Sequence, residues 1–222
     1  SLPYTITNDE SYYLNGNLSS TTNGIVILAT SVTLDLGGFT ITGDGVGWGI
    51  YVNGYVFNNT VPYPAVLIKG GKVSGFHDGL YCQWMNNSRI ERMAGYDNAE
   101  DGIVLAGDAF GECNGNTITD CIISRNGGDG LYLSGDSYGE CNGNTIADCT
   151  ISDNANIGVY LYGHNGGQCD GNTIRENTIS KNTARGISLY SADGNRVEAN
   201  HVWGTTGATS YGIWTSLTTG NF

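Results

Sequence analysis

The chain has 222 residues, 35 of them glycine and only three proline, with 39% hydrophobic residues, which excludes a disordered tail and a collagen-like rod. Twenty-one acidic residues stand against nine lysines and arginines, a net charge of −12, so nucleic acid and anionic membrane are excluded as partners. No apolar run approaches the roughly 18 residues that cross a bilayer and no stretch reads as a signal peptide, so an exported protein would begin here at its mature end.

In chain order, residues 1–23 read as an N-terminal cap with strands around Tyr4–Thr7 and Tyr12–Leu14, and residues 24–222 as one continuous repeat domain. The octet Gly-Glu-Cys-Asn-Gly-Asn-Thr-Ile occupies 111–118 and again 139–146, and a variant follows at 167–174, an interval of 28 residues each time. The same shift superposes Asp101-Gly102-Ile103, Asp129-Gly130-Leu131, Ile157-Gly158-Val159 and Arg185-Gly186-Ile187. With altered spacing the slot recurs at Gly49-Ile50, Gly79-Leu80 and Gly212-Ile213. Each repeat holds three short runs with period-two alternation, such as Asn116-Thr117-Ile118, Ile122-Ile123 and Gly130-Leu131-Tyr132-Leu133. Three strands per repeat, separated by Gly/Asn turns, predict an all-β solenoid of about seven coils with parallel stacking between coils.

The register then names the stacks. Inward rows are Ile90, Ile118, Ile146, Ile174, Val197; Ile123, Ile151, Ile179, Val202; and Ile50, Leu80, Ile103, Leu131, Val159, Ile187, Ile213. Two asparagine rows, Asn98/Asn126/Asn154/Asn182 and Asn116/Asn144/Asn172/Asn195, are placed to bridge neighbouring coils at turns. After Trp214 the chain reads Ser216 to Phe222 like the first residues of another coil, so the last coil is expected to be incomplete, with no evident C-terminal cap.

The pattern running from Asn172 through Asn177 and Asn182 to Gly186-Ile187 resembles the right-handed parallel β-helix repeat family of pectate-lyase-like proteins and polygalacturonases. The opening, Ser1 to Ile6 with Ser11-Tyr12-Tyr13-Leu14 and then Val32 to Phe39, resembles secreted bacterial β-helix proteins. The resemblance covers nearly the whole chain. It implies a single-stranded right-handed β-helix outside the cytoplasm (secreted, extracellular or at the cell surface), and leaves activity open because the repeat encodes stacking and not chemistry.

Five cysteines lie in register and are disulfide candidates: Cys121 with Cys149 at a turn, and one pair from Cys113, Cys141 and Cys169 in a loop. The alternative is that Cys121 and Cys149 are buried thiols replacing the asparagines Asn177 and Asn200 of later coils.

Two outward features could carry chemistry. An aromatic row, Tyr51, Tyr81, Val104, Tyr132, Tyr160, Ser188, Trp214, with Tyr162 and Tyr190 beside it, could bind sugar rings or simply stack as a ladder; Phe110 and Tyr138 flank it in loops. An acidic row at the head of the same sheet, Asp78, Asp101 and Asp129, each precedes a repeated glycine, with Arg185 two coils on and His77, Asp97 and Glu100 near in sequence. Its carboxyls could serve as acid and base in glycoside cleavage, or Asp101, Asp129 and Glu100 could share a Ca²⁺ ion. His77-Asp78-Gly79 and Glu100-Asp101-Gly102 faintly resemble the Asn-Thr-Asp-Gly element of polygalacturonases, whose other catalytic elements are absent. A lyase would need Arg185 as its base. A second acidic set, Asp108, Glu112, Asp136, Glu140 with His164, lines the repeated loops.

The reading that leads is an extracellular or cell-surface scaffold that assembles end to end into filaments, its partner being itself. The alternatives are a polysaccharide lyase or glycoside hydrolase and a non-catalytic carbohydrate-binding module; no cofactor is demanded, and Ca²⁺ is the cation the acidic set would take.

Overall fold

The computed structural model describes residues 2–54, 65–109, 111–207, 210–216 and 218–221; Phe110 lies outside them. Every element among these residues is a strand. The reason is visible in runs such as Thr117–Thr119 and Thr173–Arg175, where a central Ile is buried between two more exposed residues. β-Branched residues alternating this way suit a pleated, half-buried surface.

One face is a nine-stranded parallel sheet formed, in order, by Tyr4–Ile6, Ile25–Ile27, Trp48–Asn53, Asp78–Gln83, Ile103–Gly107, Leu131–Gly135, Ile157–Gly163, Arg185–Tyr190 and Tyr211–Ser216. The other two faces meet in the strands Ala65–Ser74 and Arg89–Tyr96. The second of these pairs with Thr117–Thr119 through its first half and with Ile122–Ser124 through its second. All three inward rows hold in register, from Ile90 opposite Ile118 to Ile187 opposite Ile213. The core is therefore a column of Ile, Leu and Val between the faces, each fully buried side chain contributing about 2 kcal/mol.

Within the segment expected to cap the N-terminus, residues 4–19 form strands that pair with the coil that follows. Tyr4–Ile6 pairs in parallel with Ile25–Ile27, Ser11–Tyr13 with Ser31–Asp35, and Leu18–Ser19 with Thr40–Thr42, so this segment is itself a turn of the spiral. It escapes the repeat because the neighbouring slot, Gly24-Ile25, stands 25 residues before Ile50 in register and not 28. At the other end Asn195 N donates to Asn221 Oδ1 at 2.7 Å, so Asn221 continues the asparagine row.

Sharp corners separate the faces, and two of them are built from single non-glycine residues in the left-handed region. One column is Arg92, Asp120, Asp148, Glu176 and Ala199, the other Asp97, Arg125, Asp153 and Lys181, all at φ between 50° and 58°. Each costs about 1 kcal/mol in isolation. The residue after each corner in the second column is a buried Asn of the ladder, whose coil-to-coil bonds offset that cost.

The repeated glycine has a steric cause. Gly130, just before the strand Leu131–Gly135, does not take the left-handed conformation, but a Cβ there would stand 2.6 Å from Ile151 Cγ2, 2.7 Å from Gly158 O and 2.8 Å from Asn154 Nδ2. The backbone of the next coil cannot retreat without breaking the sheet. Gly130→Ala is expected to lower the unfolding free energy by about 3 kcal/mol, read as a lower urea midpoint with an unchanged denaturant slope.

All six cysteines are free and buried. The disulfides expected of Cys121 with Cys149, and within Cys113, Cys141 and Cys169, are replaced by stacked thiols. In-register neighbours hold parallel side chains about 4.8 Å apart, beyond the roughly 3.5–4.5 Å between Cβ atoms that a disulfide takes. The loop thiols have other partners: Cys113, Cys141 and Cys169 donate to the carbonyls of Cys82, Leu105 and Leu133 at 3.6, 3.6 and 3.5 Å. Each also accepts from the asparagine three residues on, at 3.5–3.6 Å. Burial pushes the Cys82 and Cys141 thiols well above their ordinary pKa, so they stay protonated.

Candidate functional site

The outward face of the nine-stranded sheet carries the aromatic row in the expected register: Tyr51 opposite Tyr81, Tyr81 opposite Val104, Val104 opposite Tyr132, and on through Tyr160 and Ser188 to Trp214. The rings form two stacks. In the first, Trp48, Tyr51 and Tyr81 lie with centroids 4.5–5.9 Å apart. In the second, Tyr132, Tyr160, Tyr162 and Tyr190 follow one another at 5.4 Å, with His164 stacked on Tyr162 at 5.1 Å and Trp214 6.3 Å from Tyr190. Stacking leaves the rings half-buried, and desolvation pushes the Tyr81 and Tyr132 phenols up to about 12, so both remain neutral.

Val104 interrupts the row, and the interruption is a groove. It has a volume near 540 Å³, with Tyr81 and Gln83 on one side and Tyr132 and Ser134 on the other. Val104 and Ala106 supply the short side chains of the coil between, and so the floor. The two tyrosines are two coils apart, roughly 10 Å at ~4.8 Å per coil. A ring held between them needs two van der Waals contacts of about 3.5–4 Å each, so the slot admits one sugar ring edge to edge or tilted.

Carboxyls occupy both ends. At the head stand Asp78, Glu100 and Asp101 with His77; where the strands leave the sheet stand Asp108 and Asp136. Asp78 and Asp129 are buried, and Asp101 partly so. Their column performs a structural task. Asp78 Oδ1 accepts from Asp101 N at 2.9 Å, Asp101 Oδ1 from Asp129 N at 2.6 Å, and Asp129 Oδ1 from Ile157 N at 2.8 Å. Asp78 Oδ2 also accepts from Trp48 Nε1 at 3.1 Å and meets His77 Nδ1 at 3.2 Å. Burial, with Asp78 and Glu100 close by, raises Asp101 to about 6, and burial with the charge of Asp101 raises Asp129 to about 7.

Arg185 does not join these acids. Ile157 stands between Asp129 and Arg185 in the column, and the Arg185 guanidinium lies over the Trp214 ring at 4.0 Å. It lies beside Ser188 in the aromatic row, over the ring that follows, whereas among the described residues the groove above Val104 holds no such guanidinium. The site expected of a lyase, an arginine facing the carboxylates, is therefore not assembled. Nor do Asp101, Asp129 and Glu100 gather as a calcium site, since Asp101 and Asp129 turn an oxygen to the next coil while Glu100 is exposed. Among the described residues no group of three or more His, Cys, Asp or Glu is placed to hold a metal ion.

Residues 17–221 match the family model described as periplasmic copper-binding protein (NosD). The chain belongs to the NosD family. No curated protein matches it in sequence. The enzymatically active domain of tailspike protein 2 of bacteriophage CBA120 is similar in structure, with a TM-score of 0.59 at 13% identity over 94% of this chain and 41% of that one. The Dettilon tailspike protein follows with a TM-score of 0.53 at 17% identity over 98% of this chain and 53% of that one. An alginate lyase from Paenibacillus sp. gives a TM-score of 0.48 at 13% identity over 93% of this chain and 100% of that one. The NosD chain spans about half the length of the tailspikes, and the likeness is one of fold, a right-handed parallel β-helix.

Three parts of the slot in this NosD-family chain escape the sequence pattern. Trp48 precedes its glycine slot and so falls outside the row, yet it backs Tyr81 at 5.1 Å. Val104 reads as a member of the row, although a short side chain among tyrosines is itself the signal for a trough. Asp108 and Asp136 read as a loop feature apart from the sheet, whereas both line the slot.

Proposed function

We propose that this protein is a carbohydrate-binding β-helix of the space outside the cytoplasm, holding one sugar ring of a glycan in the slot floored by Val104. The observation that carries this reading is the break in the aromatic row. Two rigid tyrosine stacks face each other across one coil of short side chains, and a sugar ring offers apolar faces to such walls and hydroxyls to the carboxyls at the ends. The periplasmic description of the family supports the location.

The other readings have less behind them. A hydrolase or lyase is disfavoured because Asp78, Asp101 and Asp129 each cap a backbone N–H and Arg185 is occupied by Trp214. The scaffold that stacks end to end gains nothing from the slot. Copper, named in the family description, does not fit the residues present. Soft thiolate and thioether ligands suit Cu(I), but the six thiols are buried, and Met85 and Met93 are core residues. His164 is stacked on Tyr162, His201 lies 4.3 Å from Trp203 on another face, and His77 meets Asp78 at 3.2 Å without a third ligand gathered about it among the described residues.

Calorimetric titration with glycan oligomers tests the proposal. The double variant Tyr81→Ala, Tyr132→Ala is expected to weaken binding at least about tenfold, from the loss of two aromatic contacts of about 1 kcal/mol each. Val104→Tyr is expected to block the slot while leaving the unfolding free energy within about 1 kcal/mol of the parent, because the row already carries tyrosine at this register. Unchanged affinity in both variants, or no binding by the parent to any neutral or charged glycan, would overturn it.

A further inference from the structure

We propose that the slot selects glycans bearing protonated amino groups and rejects polyuronates. The inference rests on the reading that the slot binds a glycan, and it concerns which class. Five carboxyls line the slot, three at the head and two at the foot, and among its described lining residues none is lysine or arginine. The partners these carboxyls have are mostly uncharged: Gln83 Nε2 and Trp84 Nε1 donate to Asp108 at 3.0 and 2.8 Å, and Asn165 Nδ2 donates to Asp136 at 3.3 Å. Asp101 accepts from a backbone N–H. Hydrogen bonds of this kind orient a carboxylate without neutralising it, so the slot keeps a concentrated negative field between low-dielectric tyrosine walls.

A uronate entering there would place its carboxylate against like charge, with no guanidinium to receive it. Among the described residues of this sheet the guanidinium is that of Arg185, which lies at the far end of the second tyrosine stack over Trp214. An ammonium group meets the opposite situation. It can donate to carboxylate oxygens at either end and lie against the faces of Tyr81 or Tyr132, both neutral phenols with electron-rich rings. The net charge of −12 on the whole chain steers such a ligand toward the surface in the same sense.

The test is calorimetric titration of the full chain with size-matched oligomers of glucosamine, N-acetylglucosamine and galacturonate, at about 50 mM and about 500 mM salt. The glucosamine oligomer is expected to bind at least about tenfold more tightly than the N-acetylated one at low salt, with the ratio collapsing at high salt and galacturonate giving no measurable heat. Asp101→Asn keeps the oxygen that Asp129 N needs, and Asp136→Asn lies at the opposite end of the slot. Each is expected to cut the ratio at least about threefold, because the lost charge acts on the ammonium group of one oligomer only, whereas hydroxyl contacts are common to both. Asp148→Asn, an exposed corner residue remote from the slot, is the control for diffuse charge and should leave the ratio unchanged. Equal or tighter binding of galacturonate, or a ratio that falls with Asp148→Asn as much as with the slot variants, overturns the amino-sugar inference. In that case a continued loss of binding in Tyr132→Ala leaves the slot reading standing. Silence from all three oligomers overturns the slot reading, and the amino-sugar inference falls with it.

Discussion

Asn154→Ala is expected to lower the unfolding free energy by about 4 kcal/mol, the largest loss from any single truncation in the ladders. Asn154 is fully buried. Its Oδ1 accepts from Asn126 N at 3.1 Å and from Asn126 Nδ2 at 2.9 Å, while its Nδ2 donates to Ile123 O at 3.4 Å and Asn182 Oδ1 at 2.9 Å. Alanine removes both halves of the amide at once. The Asn126 N–H is then left buried without its acceptor, which costs about 1–3 kcal/mol, and the volume of the lost amide adds a cavity cost of similar size. Nearest-neighbour coupling in a solenoid concentrates the damage in the coils on either side. Amide exchange at Ile123, Ile151 and Ile179 should therefore quicken far more than at Ile27. A fall of less than about 1 kcal/mol, or exchange quickened evenly along the chain, would show that the ladder contributes little.

The second large effect has the opposite sign. Asp101 at about 6 and Asp129 at about 7 sit above the 3.8 at which an unfolded aspartate ionises. Between these values the folded chain holds protons that the unfolded chain has released, so stability falls as pH rises. The contribution is fully present below about pH 4, is lost across about pH 4 to 7, and is flat above. At about 1.4 kcal/mol per pKa unit, discounted for partial exposure and for the coupling of the two carboxyls, the total is about 3 kcal/mol. The double variant Asp101→Asn, Asp129→Asn keeps the Oδ1 acceptors and removes the charge. It should match the parent at about pH 4 and exceed it by about 3 kcal/mol at about pH 8, in urea midpoints taken at both.

The exchange is one the chain already makes. In a parallel column Asn86, Asn114 and Asn142 hand the same backbone task to Asp170 and Asp193, each oxygen receiving the N–H of the following coil. Aspartate at 101 is thus less stable at neutral pH than an available alternative, as expected where a charge serves the slot that it lines. A variant no more stable than the parent at about pH 8 would remove that argument.

Register is legible in the sequence because parallel stacking makes the coil length a sequence period. The 28-residue spacing by itself sets Ile118, Ile146 and Ile174 opposite one another, and likewise Asn98, Asn126, Asn154 and Asn182. The same arithmetic sets Val104, Tyr132 and Tyr160 in succession, while Tyr81, 23 residues before Val104, is placed by its repeated glycine slot. It fails where spacing changes: Gly24-Ile25 and the strands of residues 4–19 belong to the spiral although no 28-residue shift reaches them. It is also blind to corners, where Asp120 and Arg125 take the left-handed conformation usually left to glycine.

What sequence alone determined is which side chains share a row, since a stacked coil repeats its neighbour's direction at every position. Only the tertiary structure decided what lies between rows. Whether a short side chain in the row lines a groove, as Val104 does, or sits next to a ring that carries a guanidinium, as Ser188 does beside Trp214 and Arg185, depends on side chains reaching across from other positions. So does the use of Asp101 as a cap for Asp129 N and the refusal of Cys121 and Cys149 to bond. Those outcomes turn on distances of a few ångströms and on desolvation, and no period in the sequence records either.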